Sequence, residues 1–253
     1  MRIPAPRIAL VLALLTASCS VARDERGAPD VAVSQRLLPS EAASRPPLLG
    51  RGRYVAATVA RKIIVFREPD PATADFVLDT RNPFGQRTSM LVVGARRDGA
   101  GDPWYEVSLP IRPNGSTGWM RGYELRIRRA ADRLVIDLSD RTLQRFHGGT
   151  IADRYSVAVG TADSPTTTGT FFVWARVPQS SPYGPYGIYA LGLSGFSDTY
   201  TEWEGSNGRI AIHGTSDPSD RGQRVSHGCI RVYNADMESL TDLPMGTPVV
   251  IRR

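Results

Sequence analysis

Short runs of apolar residues, many of them β-branched or aromatic, mark the first part of the chain after residue 53. The runs lie at 54–59, 62–66, 90–93, 104–109 and 118–120, and Gly, Pro, Asn and Asp separate them. Strands joined by turns have this pattern, whereas amphipathic helices repeat apolar residues every three or four positions. The sequence therefore predicts a small all-β domain over residues 54–128.

A second series of apolar runs follows a short Ala130-Ala131 joint and predicts another mainly β domain over residues 131–253. Its strands are expected at 133–138, 142–146, 155–160, 169–175, 208–213 and 247–252. One helix is predicted over 235–243, with Asn234 as its N-cap and Pro244 and Gly246 ending it. These residue types favour helix starts and stops. The predicted fold class is mainly β, with a short helix late in the chain.

The first 22 residues have the pattern of an export signal. Arg2 and Arg7 precede an apolar stretch over 8–17 that is too short to span a membrane. The segment ending at Cys19 resembles a lipobox, which implies that Cys19 is acylated and becomes the mature N-terminus. Ordinary cleavage after Ala22 is the alternative. We expect an exported protein held by lipid at the outer face of the cytoplasmic membrane.

Composition adds a tether and a positive charge to this picture. Residues 23–53 are rich in Ala, Arg, Pro and Ser without a sustained period, which predicts a flexible tether. The formal net charge of +6 suits anionic wall polymers or a lipid surface, or is simply a solvated basic surface. Basic runs interleaved with aromatic residues, which are typical of nucleic-acid binding, do not occur in the sequence.

The candidate chemistry lies in Ser226-His227-Gly228-Cys229 and in an upstream His213-Gly214 pair. The chain has two cysteines, and Cys19 belongs to the export signal, so Cys229 is the one thiol expected in the mature domain. A thiol attacks as thiolate, and a nearby imidazole commonly deprotonates it. In an extended segment His227 and Cys229 would face the same side. We therefore interpret Cys229 as nucleophile and His227 as general base; an inert buried cysteine is the alternative.

These motifs resemble the catalytic domain of the L,D-transpeptidase (YkuD-like) family, over roughly residues 131–253. His213 precedes Ser226 by thirteen residues, at the short end of the family pattern, and Arg231 stands where some members have Asn. The resemblance implies a YkuD-like β-sandwich in which His213 lines the pocket and a backbone carbonyl orients the base. It also implies oxyanion donors at the N–H groups of Gly228 and Cys229.

Further pocket residues follow from the same resemblance. Ser226 and Gly214 are expected neighbours of the reacting atoms, and Arg231 is expected to face a substrate carboxylate. A Tyr/Gly-rich segment over 182–198, which includes Tyr186, is interpreted as a flap over the substrate; a surface loop followed by a buried strand is the alternative.

The first domain resembles bacterial SH3-like modules, small β-barrels often found beside wall enzymes. The resemblance lies in Trp104-Tyr105-Glu106-Val107 and in Gly118-Trp119-Met120. Such a module either binds wall glycan or peptide, or serves as a rigid spacer in which Trp104 and Trp119 belong to the core. All candidate catalytic residues lie beyond residue 131, so this domain is expected to carry no chemistry.

The resemblance implies a peptidoglycan L,D-transpeptidase that cross-links the third residues of two peptide stems through a thioester on Cys229. A tetrapeptide stem would be the donor and a side-chain amine the acceptor, carbapenems would acylate the same thiol, and no cofactor would be needed. An L,D-carboxypeptidase and a non-catalytic wall-binding protein are the alternatives. A zinc site of His213, His227 and Cys229 is conceivable but is not favoured, because no fourth ligand motif accompanies it.

Overall fold

Seventeen strands and very little helix make up the part of the chain described by the computed structural model, which comprises residues 53–58, 62–202 and 207–253. The mainly β fold class is therefore confirmed. The predicted export signal with Cys19, and nearly all of the predicted tether, lie outside the described residues. Within those residues, no helix is long and apolar enough to cross a membrane.

The first sheet is built from β1 to β7, whose apolar residues form two separate buried clusters. These strands are β1 (Tyr54–Thr58), β2 (Ile63–Phe66), β3 (Ala74–Leu78), β4 (Ser89–Arg97), β5 (Pro103–Ser108), β6 (Thr117–Arg121) and β7 (Leu125–Arg129). Their order is β3-β2-β6-β5-β4-β1-β7. Trp104 and Trp119 are only 1% and 2% exposed and pack on Phe66, so both belong to the core and neither is available to stack on a glycan. The SH3-like relationship stays a prediction.

The second sheet has eight strands in the order β10-β9-β8-β17-β12-β13-β14-β16. The strands and helix of this part are β8 (Asp132–Asp137), β9 (Thr142–His147), β10 (Thr150–Ser156), β11 (Val159–Gly160), β12 (Gly169–Pro178), β13 (Tyr189–Phe196), β14 (Arg209–Thr215), β15 (Arg224–Ser226), β16 (Ile230–Tyr233), α1 (Asn234–Met237) and β17 (Pro248–Arg252). β11 and β15 form a small separate parallel pair. Short 3-10 helices lie at Pro71–Thr73, Gly122–Glu124, Pro218–Asp220 and Glu238–Leu240.

Two local predictions are wrong. The single strand expected at 155–160 is divided between the end of β10, which begins at Thr150 after the turn at Gly148 and Gly149, and the short strand β11. The predicted helix over 235–243 is one α-helical turn followed by a 3-10 turn, and Asn234 lies inside it, so it is not the N-cap. The segment 182–198 is a loop followed by the buried strand β13, and a covering role of the loop stays a prediction.

The two sheets meet along β12. Phe172 is fully buried and packs with the core of the first sheet, and Trp174 lies beside it. The Asn82 side-chain amide in the first sheet donates to the Trp174 carbonyl at 2.9 Å. The division at 54–128 and 131–253 stays a prediction, but the described residues of both parts belong to one compact unit.

Candidate active site

The proposed nucleophile lies in a tight turn between β15 and β16. His227 and Gly228 form a bend, and Gly228 has a φ of 114°, which L-residues rarely adopt. The Ser226 hydroxyl donates to the Cys229 carbonyl at 2.5 Å and accepts the Gly228 N–H at 3.2 Å. Ser226 is 1% exposed. Its side chain therefore braces the turn that carries Cys229.

This turn changes the geometry expected for His227. The sequence interpretation placed His227 and Cys229 in an extended segment, and that part is wrong because His227 and Gly228 form a bend. The His227 side chain is exposed, whereas Cys229 is partly buried. The two groups have different surroundings although two positions separate them.

The sheet register brings Cys229 and His213 to the same face. β14 and β16 are parallel, with Ile212 opposite Ile230 and His213 opposite Arg231. Side chains two residues apart in a strand point to one side, so Cys229, next to the start of β16, shares the face of Arg231 and His213. The hydrogen bond between Cys229 and the Ala211 backbone, two residues before His213, agrees with this placement.

His213 is held by its own strand. Its side chain is 3% exposed, and Nδ1 lies 2.9 Å from the Gly214 carbonyl oxygen. A carbonyl can only accept, so Nδ1 carries the proton and Nε2 carries the lone pair. Burial lowers the pKa of His213 to about 4, which the Gly214 carbonyl opposes. His213 is therefore a neutral imidazole at neutral pH, able to take up a proton at Nε2.

The Cys229 thiol is also neutral in the resting protein. Burial raises the pKa of Cys229, while the Ala211 backbone hydrogen bond and the charge of Arg231 oppose the rise. A thiol with a raised pKa stays protonated at neutral pH. Attack by this thiol therefore requires a base that removes the proton during the reaction.

Arg231 is paired with an acid that the sequence interpretation did not include. Its guanidinium lies 3.4 Å from Asp220, which is nearly buried and also accepts the Thr215 hydroxyl at 2.9 Å. The positive charge of Arg231 acts to lower the pKa of both Cys229 and His213. For Cys229 the effect of burial is larger, so the pKa is raised overall. That Arg231 faces a substrate carboxylate stays a prediction.

The loop that carries Tyr186 is fastened beside His213 by Asn234. The Asn234 side chain accepts the Ile188 N–H at 3.1 Å and donates to the Pro182 carbonyl at 2.9 Å. A Cβ on Gly214 would lie 2.4 Å from the Asn234 side-chain oxygen, so the close approach requires glycine there. The Tyr186 ring meets His213 edge-on, with 5.2 Å between ring centroids. Sequence reasoning missed this use of Asn234 because the residue type also fits an N-cap.

A second tyrosine flanks His227. Tyr200, from the connection between β13 and β14, lies edge-on to the His227 ring with 6.3 Å between centroids. No local motif pointed to Tyr200, since the contact joins two distant segments. Among residues 53–58, 62–202 and 207–253, no group of three or more His, Cys, Asp or Glu is arranged to hold a metal ion.

Residues 131–251 match the family model YkuD, the L,D-transpeptidase catalytic domain, which is the family that the motifs resemble. YkuD of Bacillus licheniformis is 36% identical over 120 residues, or 47% of this chain and 64% of that protein. YkuD of Bacillus subtilis is 34% identical over 121 residues, or 47% of this chain and 65% of that protein. The chain thus spans just under two thirds of the length of these relatives.

Two solved structures are similar at lower identity. The catalytic domain of an Enterococcus faecium L,D-transpeptidase acylated by ertapenem is 23% identical, with a TM-score of 0.37, over 49% of this chain and 99% of that chain. An L,D-transpeptidase from Mycobacterium tuberculosis is 16% identical, with a TM-score of 0.40, over 78% of this chain and 81% of that chain.

Proposed function

We propose that this chain is a peptidoglycan L,D-transpeptidase in which Cys229 forms a thioester with a donor peptide stem. The observation that carries the proposal is the common face of Cys229 and His213, with the His213 Nδ1–H directed at the Gly214 carbonyl. That arrangement supplies a thiol, a neutral imidazole and a group that fixes the imidazole tautomer. The match of residues 131–251 to the family supports the same chemistry.

We assign the general base to His213 rather than to His227. The backbone carbonyl expected to orient the base lies against His213 at 2.9 Å. A buried base also exchanges its proton out of contact with bulk water. Electrostatic interactions are stronger there, because the effective dielectric constant is lower than in water. His227 is exposed and contacts Tyr200, so we place it at the rim, where it contacts the substrate.

The proposed reaction proceeds in two acyl transfers. The Cys229 sulfur attacks the carbonyl carbon of the third stem residue while the thiol proton moves to His213 Nε2. The tetrahedral intermediate collapses to a thioester as the D-alanine nitrogen leaves and takes that proton. The side-chain amine of a second stem then attacks the thioester, loses a proton to His213, and releases the Cys229 thiolate, which is reprotonated.

The oxyanion is stabilised by one backbone donor and by charge in this proposal. The Gly228 N–H already donates to Ser226, so we retain the Cys229 N–H as the donor. The Arg231 guanidinium favours anions at the site, since its charge opposes the raised pKa of Cys229. No metal or organic group takes part in these steps. Export and anchoring through acylated Cys19 are proposed from the sequence pattern of residues 1–22.

Mass spectrometry with a defined tetrapeptide stem tests the proposal. With an amine acceptor the wild type should release D-alanine and yield the cross-linked product through a transient thioester adduct on the protein. Release of D-alanine with only hydrolysed tripeptide, in the presence of acceptor, would make the protein an L,D-carboxypeptidase. The absence of any adduct or product from wild type would contradict both.

The nucleophile is tested separately with a carbapenem. The intact mass of the wild type should increase by one carbapenem, and Cys229→Ala should show no increase because the attacking sulfur is gone. Thr241→Ala, a substitution at the residue that follows the 3-10 helix Glu238–Leu240, is the control and should acylate as wild type does. A stoichiometric adduct on Cys229→Ala would exclude this thiol as the nucleophile.

A further inference from the structure

A loop of the first sheet reaches into the second sheet close to the proposed active site. The loop joins β5 and β6, and its Arg112 guanidinium donates to three backbone carbonyls, at Ser197 (3.1 Å), Tyr200 (2.9 Å) and Asn207 (3.2 Å). All three acceptors belong to the connection between β13 and β14. A single fixed guanidinium therefore gathers both ends of this connection, using the planar fork that lysine lacks.

The side-chain amide of Asn114, two residues after Arg112, adds two hydrogen bonds to this contact. The Asn114 side chain donates to the Phe196 carbonyl at 2.8 Å and accepts the Phe196 N–H at 2.9 Å, so it pairs with that backbone as a strand would. The Arg112 guanidinium also lies over the Phe196 ring, 4.6 Å from its centroid. Reciprocal hydrogen bonds fix both position and orientation. The first sheet thus holds the end of β13 at a defined place.

A second arginine, Arg209, is largely buried and contacts both sheets at the same place. Arg209 lies over the rings of Trp174 at 3.8 Å and Phe196 at 4.3 Å, and donates to the carbonyls of Pro110 at 3.1 Å and Leu193 at 2.9 Å. Burial lowers its pKa, and its two carbonyl partners and two rings offset the cost of removing the charge from water. Such a site fixes the loop at Pro110 against the second sheet.

The described start of the connection that Arg112 holds, residues 197–200, forms a compact turn. The Ser197 hydroxyl accepts the N–H groups of Thr199 at 3.1 Å and Tyr200 at 3.0 Å, and the Ser197 N–H donates to Gly208 at 2.8 Å. A Cβ at Gly208 would lie 2.1 Å from the Tyr200 carbonyl oxygen and 2.9 Å from the Arg112 guanidinium. Backbone, guanidinium and glycine are therefore packed directly together at Tyr200.

This turn presents Tyr200 to the histidine next to Cys229. The Tyr200 carbonyl is bound by Arg112, and its ring lies edge-on to His227. A chain of direct contacts thus runs from the first sheet to the rim of the proposed active site.

We propose that Arg112 is a positioning residue for this rim: it places Tyr200 against His227 and so shapes the surface on which a peptide stem lies. The inference rests on the proposed function and assigns the first domain a part in it. The first domain carries no reacting group, in keeping with the sequence interpretation, but it supports the side of the site that His227 and Tyr200 form. Removal of Arg112 should therefore disturb His227 even if the protein stays folded.

The test compares Arg112→Met with Arg121→Met in the full chain. Arg121 is a matched control, because its guanidinium lies over Phe66, Trp104 and Tyr123 within the first sheet. The chain has three histidines, so the His227 imidazole signals can be assigned in NMR spectra by comparison with His227→Gln. Unfolding free energies, kcat and KM for the tetrapeptide donor, and the His227 signals are measured for each variant.

Arg112→Met should shift the His227 signals and lower kcat/KM about tenfold to a hundredfold, because small displacements in an active site reduce the rate strongly. Tyr200→Leu should do the same, and the double variant should be no worse than either single one, since both act through one contact. Arg121→Met should leave the His227 signals and kcat/KM unchanged.

Two results would overturn the proposal. One is an Arg112→Met protein whose His227 signals match those of wild type. The other is a double variant whose loss in kcat/KM equals the product of the two single losses, which would mean that Arg112 acts independently of Tyr200. The NMR readout is independent of turnover, so a wild type without transpeptidase activity would contradict the proposed function while the His227 signals still decide the role of Arg112.

Discussion

Two tyrosine–histidine pairs flank Cys229, and they are alike in geometry but opposite in surroundings. Tyr186 meets His213 at an interplanar angle of 78°, and Tyr200 meets His227 at 66°, so both are edge-to-face contacts. His213 is buried in β14, whereas His227 is exposed at a bend. Asn234 of α1 fastens the loop that carries Tyr186, and Arg112 of the β5–β6 loop fastens the turn that carries Tyr200.

The difference separates chemistry from recognition. An imidazole that is buried, neutral and fixed by a carbonyl is prepared to exchange a proton with a neighbouring thiol. An exposed imidazole next to a tyrosine ring is prepared to contact a ligand from solvent. In the proposed function the same residue type thus serves two purposes, because the backbone around it differs.

The largest expected effect distinguishes the two histidines directly. His213→Gln should slow carbapenem acylation of Cys229 by about 10²–10⁴-fold, the usual range for loss of general base catalysis, whereas His227→Gln should slow it by less than about tenfold. Acylation rates are followed by intact mass or by loss of carbapenem absorbance. If His227→Gln proves the slower variant, the base is His227, and the contrast between the pairs is reversed.

A smaller effect is expected in the free energy of unfolding at acidic pH. The pKa of His213 is lowered to about 4 in the folded state, so its neutral form contributes stability that is fully present above the unfolded pKa near 6.5. As the pH falls towards 4, His213 is protonated in the unfolded chain before it is protonated in the folded chain. The free energy of unfolding therefore falls by about 3 kcal/mol. Urea unfolding at pH 7 and pH 4 measures this.

The matched variants isolate that contribution. His213→Gln should lose about 3 kcal/mol less than wild type between pH 7 and pH 4, whereas His227→Gln should lose as much as wild type. Equal acid losses in wild type and His213→Gln would mean that His213 titrates normally in the folded protein, and the argument for a neutral buried base would fail.

The smallest effect concerns the clamp on the first pair. Asn234→Ala removes the acceptor of the Ile188 N–H and the donor to Pro182, which should cost about 1–3 kcal/mol of stability and loosen the Tyr186 loop. We expect KM for the tetrapeptide donor to rise several-fold with a smaller change in kcat. Thr241→Ala is again the control, and an unchanged KM in Asn234→Ala would show that the loop does not contact the donor.

Much of the site could be predicted from local sequence, but the assignment of its groups could not. Ser226 to Cys229 and His213 with Gly214 are adjacent in sequence, so their motifs reveal them. Which histidine serves as base depends on the parallel pairing of β14 with β16, which no local pattern encodes. Arg112 lies more than eighty residues before its acceptors, and nothing in its neighbours distinguishes it from other surface arginines.

The fold shows the same limit. Apolar strands such as β2 and β8 could be located from composition. β7 reads Leu-Arg-Ile-Arg-Arg and was missed, because its edge position exposes the arginines and leaves few apolar residues for a pattern. β13 was placed within a Tyr/Gly-rich segment because its two glycines and a serine lower the apolar signal. Its central position comes from pairing with β12 and β14.

The position of β17 links activity to the order of synthesis. β17 lies between β8 and β12, parallel to the first and antiparallel to the second, so it alone joins the β8–β10 meander to the strands that carry His213 and precede Cys229. It is also the last of these strands to be made, since chains grow towards the C-terminus. A product cut short before Pro248 would leave two open sheet edges, which invite aggregation. An incomplete chain would therefore lack the strand that joins the two halves of the second sheet.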